Sequence, residues 1–175
     1  GGSGGTGHMG VQLAKAFGAT KVIATCSSSH IDFVKRMGAD VVIDYHKTNW
    51  TDVVADRSVD FVYDTVGIHG TGDLSIPKLA DHGVFVTLEG SGLASKATMK
   101  TRPDARQQKP ECIMGCVQHG KLEAISKMVE DGKLRPHLEQ IYPLSNTVGA
   151  LNHSMSGHTA GKVVIEMNAE ESVVV

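Results

Sequence analysis

Apolar positions along the 175-residue chain change rhythm repeatedly. Val11, Ala14 and Phe17 recur at helical spacing and stop at Gly18, so a helix is expected over residues 11–17. Residues 21–25 are a short run rich in β-branched side chains and read as a buried strand. Ser27, Ser28 or Ser29 can cap a helix that runs to Met37, with Gly38 as its stop. The alternation continues with a strand at 41–43, a short helix at 50–55 and a strand at 59–63 closed by Asp64. A helix at 74–80 follows, with Asp81-His82-Gly83 as its exit, and then a strand at 84–88. Residues 89–109 are polar and aperiodic, which predicts a long loop. Residues 112–117 read as a strand, with a helix as the alternative. Leu122, Ile125, Met128 and Val129 mark an amphipathic helix ending at Gly132. A strand at 138–142, a helix at 145–155 and a strand at 163–167 close the pattern, and residues 168–175 read as a frayed tail. Strands alternating with helices at this spacing predict βα units around a parallel sheet with right-handed crossovers.

Composition narrows the partners. Net charge is −2 and charged residues make up 21%, so nothing points to nucleic acid or an anionic membrane surface. No apolar run approaches the roughly 20 residues of a membrane span. Aromatics are 5% of the chain, so the core must be aliphatic. Three cysteines, an odd number, argue against a disulfide framework and for a reducing, intracellular compartment, cytoplasmic or organellar.

Of the 20 glycines, seven fall in the first 18 residues, and there they carry chemistry. Gly2-Ser3-Gly4-Gly5-Thr6-Gly7 satisfies G-x-G-x-x-G. Such a loop turns tightly, lets the backbone approach a pyrophosphate, and packs the following helix on the sheet, whose free N–H groups then hold the anion. A helix and a strand follow in the required order, and no Gly-Lys-Ser/Thr is present to suggest a P-loop. The chain opens on Gly1 without an initiator Met, and the strand expected before the loop is missing. By composition Gly1 to Met9 also has the look of a cloning linker. At the end of the next strand, dinucleotide-binding folds that take NAD carry an acid for the ribose 2′-OH. Here stand Cys26, Ser27, Ser28 and Ser29, so no carboxylate occupies that position and several hydroxyls can donate to a 2′-phosphate. Helix capping is the structural alternative for the serines.

Several stretches together resemble the medium-chain dehydrogenase/reductase superfamily, specifically its zinc-independent quinone oxidoreductase and enone reductase branch. They are Gly4-Gly5-Thr6-Gly7 with Val11-Gln12-Leu13-Ala14-Lys15, Met37-Gly38-Ala39-Asp40, Ile43-Asp44-Tyr45, Asp60-Phe61-Val62-Tyr63-Asp64 and Val66-Gly67. Gly132-Lys133-Leu134-Arg135-Pro136, Tyr142-Pro143-Leu144-Ser145 and Gly157-His158-x-x-Gly161-Lys162 extend the likeness. Thr25-Cys26 and the last of these motifs are similar to chloroplast-envelope-type quinone oxidoreductases. The resemblance runs through the glycine loop without a gap, which makes Gly1 to Met9 native.

The resemblance implies an α/β Rossmann domain with a doubly wound parallel sheet over residues 1–134, lacking its first strand. Residues 135–175 would be the C-terminal segment of a GroES-like catalytic domain that is absent from this chain. It implies NADPH as cofactor and hydride transfer to a quinone or an α,β-unsaturated carbonyl. Tyr45 would contact the 2′-phosphate, while the backbones at Val66-Gly67 and Leu88-Glu89 would line the ribose and nicotinamide. The sequence departs from the branch at Ala160, where a basic residue is usual, and at Ile31, where a lysine often serves the phosphate; His30 or Lys35 are the substitutes at hand. No acid/base residue is assigned. Cys112, Cys116 and His119 lack the fourth partner a zinc site needs, so no metal is expected. The isolated chain is expected to be a poor catalyst and, with backbone edges exposed where the first strand is missing, to be marginal in stability or oligomeric: either another segment fills that slot or the chain associates, with residues 112–117 as the edge strand. The alternatives are a non-catalytic nucleotide-binding module or truncated fragment, and a methyltransferase with a similar glycine loop.

Overall fold

The computed structural model describes residues 1–109 and 119–167. Helix α1 (Gly7–Ala16) begins inside the glycine loop, four residues before the apolar rhythm starts. It leads to β1 (Ile23–Cys26), then α2 (Ile31–Arg36) through a single 3₁₀ turn, then β2 (Val41–Asp44). Strands β1 and β2 pair in parallel, with Ile23 opposite Val41 and Cys26 opposite Asp44. Both are short and β-branched, and helices α1 and α2 cover them. Val11, Val22, Ala24, Phe33, Val34 and Ala39 form one apolar core there, aliphatic apart from Phe33, which Ala160 from the far end of the chain joins.

Helix α3 (Trp50–Val53) precedes β3 (Val59–Asp64), which starts a second parallel sheet in the order β3, β4 (Leu79–Thr87), β5 (Arg106–Gln108). Helix α4 (Thr71–Ser75) crosses over between β3 and β4. Ile76, Leu79, Phe85, Ala94 and Ala105 form the second core. Among the described residues no strand lies between β1 and β3. Gly2 instead donates its N–H to the Thr25 carbonyl at 2.7 Å, and Gly1 lies against Thr65 and Val66, so residues 1–2 bridge the two sheets at their C-terminal ends.

Two expectations need correction. The helix predicted over 74–80 ends at Ser75, and only a 3₁₀ turn (Ile76–Lys78) continues it, because Pro77 has no N–H to donate. Leu79 and Ala80 belong to β4, and Asp81-His82-Gly83 lies within that strand, at a break in its register with β3. The long loop predicted over 89–109 contains α5 (Lys96–Thr101) and β5. Helix α5 starts on Ser95, whose hydroxyl accepts the Thr98 N–H at 3.2 Å, and it carries too few apolar residues to show a period. Arg102 then ties the segment between α5 and β5 to the start of β4. Its buried guanidinium donates to the carbonyls of Ile76, Leu79 and Ala80 and to both oxygens of Asp104.

Helix α6 (His119–Glu130) matches the amphipathic pattern, and β6 (Leu138–Pro143), α7 (Thr147–Met155) and β7 (Lys162–Glu166) follow as expected, with β6 and β7 paired in parallel. The strand expected at 112–117, with Cys112 and Cys116, and the tail at 168–175 lie outside the described residues.

Candidate functional site

The glycine loop sits between the C-terminal ends of β1 and β3, the edge at which open parallel sheets bind ligands. It is tight: the Gly4 N–H reaches the Gly1 carbonyl at 3.2 Å. A side chain at Gly7 would collide with that same carbonyl, so helix α1 can start this close to residue 1 only on glycine. Thr6 caps the helix without a side-chain bond, and Gly4 and Thr6 give their carbonyls to the N–H groups of His8 and Gly10. The N–H groups of Gly5, Thr6 and Gly7 lie at the opening of a ten-residue helix, the kind of position that favours an anion.

On one side of the loop lies the serine cluster. Cys26 is buried at the end of β1, and burial pushes its thiol pKa up. The Ser27 hydroxyl is 2.9 Å from that of Ser29 and 3.3 Å from His30 Nδ1. Tyr45 is exposed, packs against His46 with ring centres 4.3 Å apart and planes tilted by 42°, and gives its N–H to the Cys26 carbonyl at 3.2 Å. Sequence spacing did not reveal the part Asp44 takes here. The Ser28 hydroxyl donates to the buried Asp44 carboxylate, which also accepts the His46 N–H at 3.1 Å and pairs with Lys47 at 3.4 Å. The Ser28 hydroxyl, with the His46 N–H and Lys47 adding to it, holds the Asp44 carboxyl below the usual carboxylate range. Ser28 therefore offers a ligand its backbone, while the Ser27 and Ser29 hydroxyls, bonded to each other and to His30 rather than to a buried carboxylate, can exchange those bonds for a ligand's.

On the other side, Val66-Gly67 follows β3 and Leu88-Glu89 follows β4. The Leu88 N–H donates to the Asp64 carbonyl at 3.0 Å, so the two turns lie side by side. The sequence-predicted residues thus fall along one edge: Cys26, Ser27, Ser28, Ser29 and Tyr45, then Gly2, Gly4, Gly5, Thr6 and Gly7, then Val66 and Gly67, then Leu88 and Glu89.

The C-terminal part also reaches this edge. Gln12 on α1 holds Arg135 by both its N–H (2.8 Å) and its carbonyl (3.2 Å). The His137 N–H donates to His8 Nε2 at 3.2 Å. That leaves His8 Nδ1 to carry the proton and donate to the Gly4 carbonyl at 2.9 Å. His8 is fully enclosed, and burial lowers its pKa, with the Lys162 charge adding to the effect. The Gly161 N–H reaches the Ser3 carbonyl at 2.8 Å, and Lys162 Nζ comes to rest 2.9 Å from where a Gly5 side chain would begin. An exposed ammonium thus lies on the glycine loop. No spacing in the sequence links residues 8 and 12 to 135, 137 and 162. Among the described residues no group of three or more His, Cys, Asp and Glu is arranged to hold a metal, and no helix is long and apolar enough to cross a membrane.

Comparison with known proteins adds an independent finding. Residues 37–165 match the family described as zinc-binding dehydrogenase. The chain is 31% identical over 167 residues to the chloroplastic quinone-oxidoreductase homolog of Spinacia oleracea, covering 94% of this chain and 50% of that protein. It is 30% identical over 167 residues to the chloroplastic NADPH-dependent alkenal/one oxidoreductase of Arabidopsis thaliana, covering 94% of this chain and 38% of that one. The solved quinone oxidoreductase from Coxiella burnetii superposes with a TM-score of 0.79 at 30% identity, over 95% of this chain and 51% of the other. The chain spans about half the length, or less, of the relatives it matches.

Proposed function

The chain belongs to the zinc-binding dehydrogenase family, and on that premise we propose that it is the cofactor-binding part of an oxidoreductase that moves hydride from NADPH to a quinone or an α,β-unsaturated carbonyl. The observation that carries this reading is the line of groups along one sheet edge. It runs from hydroxyls and a phenol, through free N–H groups at a helix start, to two strand-end turns. That order suits a dinucleotide lying from its 2′-phosphate to its nicotinamide.

The residues present fit such a ligand. The glycine loop is a cradle that side chains would fill, and its N–H groups at the opening of α1 suit a pyrophosphate. Lys162 adds a cation beside them. Ser27, Ser29 and Tyr45 donate to the 2′-phosphate, with the Ser28 and Ser29 backbone behind. The backbones of Val66-Gly67 and Leu88-Glu89 bound the ribose and the nicotinamide. When bound, the cofactor supplies the hydride, and the chain's own work is to hold and orient it. In this reading residues 1–134 form the nucleotide-binding unit and residues 135–175 the segment that returns to a catalytic domain. The contacts of Gln12, His8 and Ser3 clamp that segment to the glycine loop.

Isothermal titration of the chain with NADPH, NADH and S-adenosylmethionine tests the proposal. A charge-assisted hydrogen bond contributes roughly 1.5–3 kcal/mol. No Arg or Lys stands among the three serines, so the lower end applies and NADPH should bind about tenfold tighter than NADH. Equal affinity for the two would remove the 2′-phosphate site, and binding of S-adenosylmethionine alone would replace the reading.

A further inference from the structure

We propose that Asp64, acting with Thr87, is a positioning residue for the nicotinamide half of the cofactor; the inference rests on the nucleotide-binding reading above. Asp64 is the last residue of β3 and is buried. Its Oδ1 accepts the N–H groups of Val66 (3.0 Å) and Gly67 (2.9 Å), which folds the turn after β3 back over the carboxylate. Its Oδ2 lies 3.1 Å from the hydroxyl of Thr87, the fully buried last residue of β4. That hydroxyl sits 3.1 Å from the Glu89 carbonyl and accepts the Glu89 N–H at 3.3 Å. Ser91 closes the ring by donating to the Gly67 carbonyl at 2.8 Å. The turns are also pressed together, because Gly67 has a φ of +74° and a side chain there would collide with that of Glu89.

None of these bonds belongs to a strand ladder. They spend a buried carboxylate and a buried hydroxyl on the shape of two turns, and those turns carry the backbone groups assigned to the ribose and nicotinamide. A buried polar network that is fully satisfied rigidifies the segment it joins. A backbone edge that binds a flat ring must be fixed before the ring arrives, since ordering it afterwards would draw on the binding free energy. The serine cluster and Tyr45, at the other end of the edge, are joined to different strands and are not part of the ring. Loss of Asp64 should therefore weaken the hold on one half of the ligand and spare the other.

Geometry rather than charge is the requirement, and an amide meets it. In Asp64→Asn the remaining oxygen still accepts from Val66 and Gly67. The new NH₂ donates to Thr87, whose own proton then goes to the Glu89 carbonyl. The experiment compares affinities of the 175-residue chain for NADPH and for adenosine 2′,5′-bisphosphate, which lacks the nicotinamide half, with circular dichroism as the check of folding. In Asp64→Ala the NADPH affinity should fall by about tenfold or more, the usual scale for removing a group that orients others, while the bisphosphate stays within about twofold. Asp64→Asn should restore NADPH binding. Thr87→Val, which keeps the shape and deletes the hydroxyl, should repeat the half-selective loss, and it decides the matter if Asp64→Ala does not fold. Equal losses for both ligands, no loss for either, or an Asn variant as weak as the Ala variant would overturn the role of Asp64 and leave the cofactor reading standing. A native chain that binds neither ligand would overturn both.

Discussion

Replacing Gln12 by Met should unfasten the C-terminal segment from the glycine loop. Gln12 is nearly enclosed on α1, and its amide serves Arg135 at both backbone groups. Methionine has similar length and no polar end, and its sulfur would lie near Met9 and Met37, which the Gln12 amide already touches. Packing is thus largely kept and the hydrogen bonds are lost. Leaving a buried donor or acceptor without a partner costs about 1–3 kcal/mol. Arg135 is exposed at its side chain but its backbone bonds are partly buried, so the pair of groups together should cost roughly 2–3 kcal/mol. For a chain of this size each kcal/mol lowers Tm by about 2–4 °C, so melting should fall by about 4–12 °C. Thermal unfolding by circular dichroism reads the shift, and hydrogen exchange reads the Arg135 amide, which should lose protection first. An unchanged melting temperature together with an equally protected Arg135 amide would refute the clamp.

Stability should also fall with pH through His8. Its folded pKa lies below the ordinary value of 6.5, so the unfolded chain takes up the proton first. The contribution is intact above 6.5 and is lost as pH drops from there toward the folded pKa, with Lys162 and His137 opposing the added charge. Urea midpoints measured across that range should decline in the native chain and flatten in His8→Gln; a native midpoint that does not move would contradict the buried, accepting Nε2. Lys162→Ala should weaken NADPH about fivefold at low salt, the upper end for an exposed charge pair, and reduce the salt dependence of binding. Identical titrations at both salts would show that the ammonium contributes nothing. Cys26→Asp should reverse cofactor preference toward NADH, by repelling the 2′-phosphate and accepting from the 2′-OH; an unchanged ratio would mean that the serine cluster does not face the ribose.

Local rules read much of this molecule. The glycine loop, α1 and β1 to β3 follow from turn residues and apolar periods, because each of those signals is contained in a few neighbouring positions. The rules failed where a local signal was overridden. Apolar spacing carried the helix through residue 80, but Pro77 ends it and Leu79 is drawn into the sheet core. Polarity hid α5, which is held by the Ser95 cap and by Arg102 rather than by an apolar face. The site divides the same way. Serines and glycines are visible as motifs, but Asp44 beneath Ser28, Asp64 beneath two turns, and His8 and Gln12 reaching residues more than a hundred positions away are tertiary facts. A buried carboxylate and an exposed one look alike in a sequence.

The most direct test of the central claim is to map where NADPH touches the chain. Addition of NADPH to the isotopically labelled protein should shift the amide resonances of Gly5, Thr6 and Gly7, of Ser27, Ser28 and Ser29, and of Val66, Gly67, Leu88 and Glu89, all saturating with one affinity. Saturable shifts confined to other parts of the chain, or no saturable shift at these amides, would contradict it.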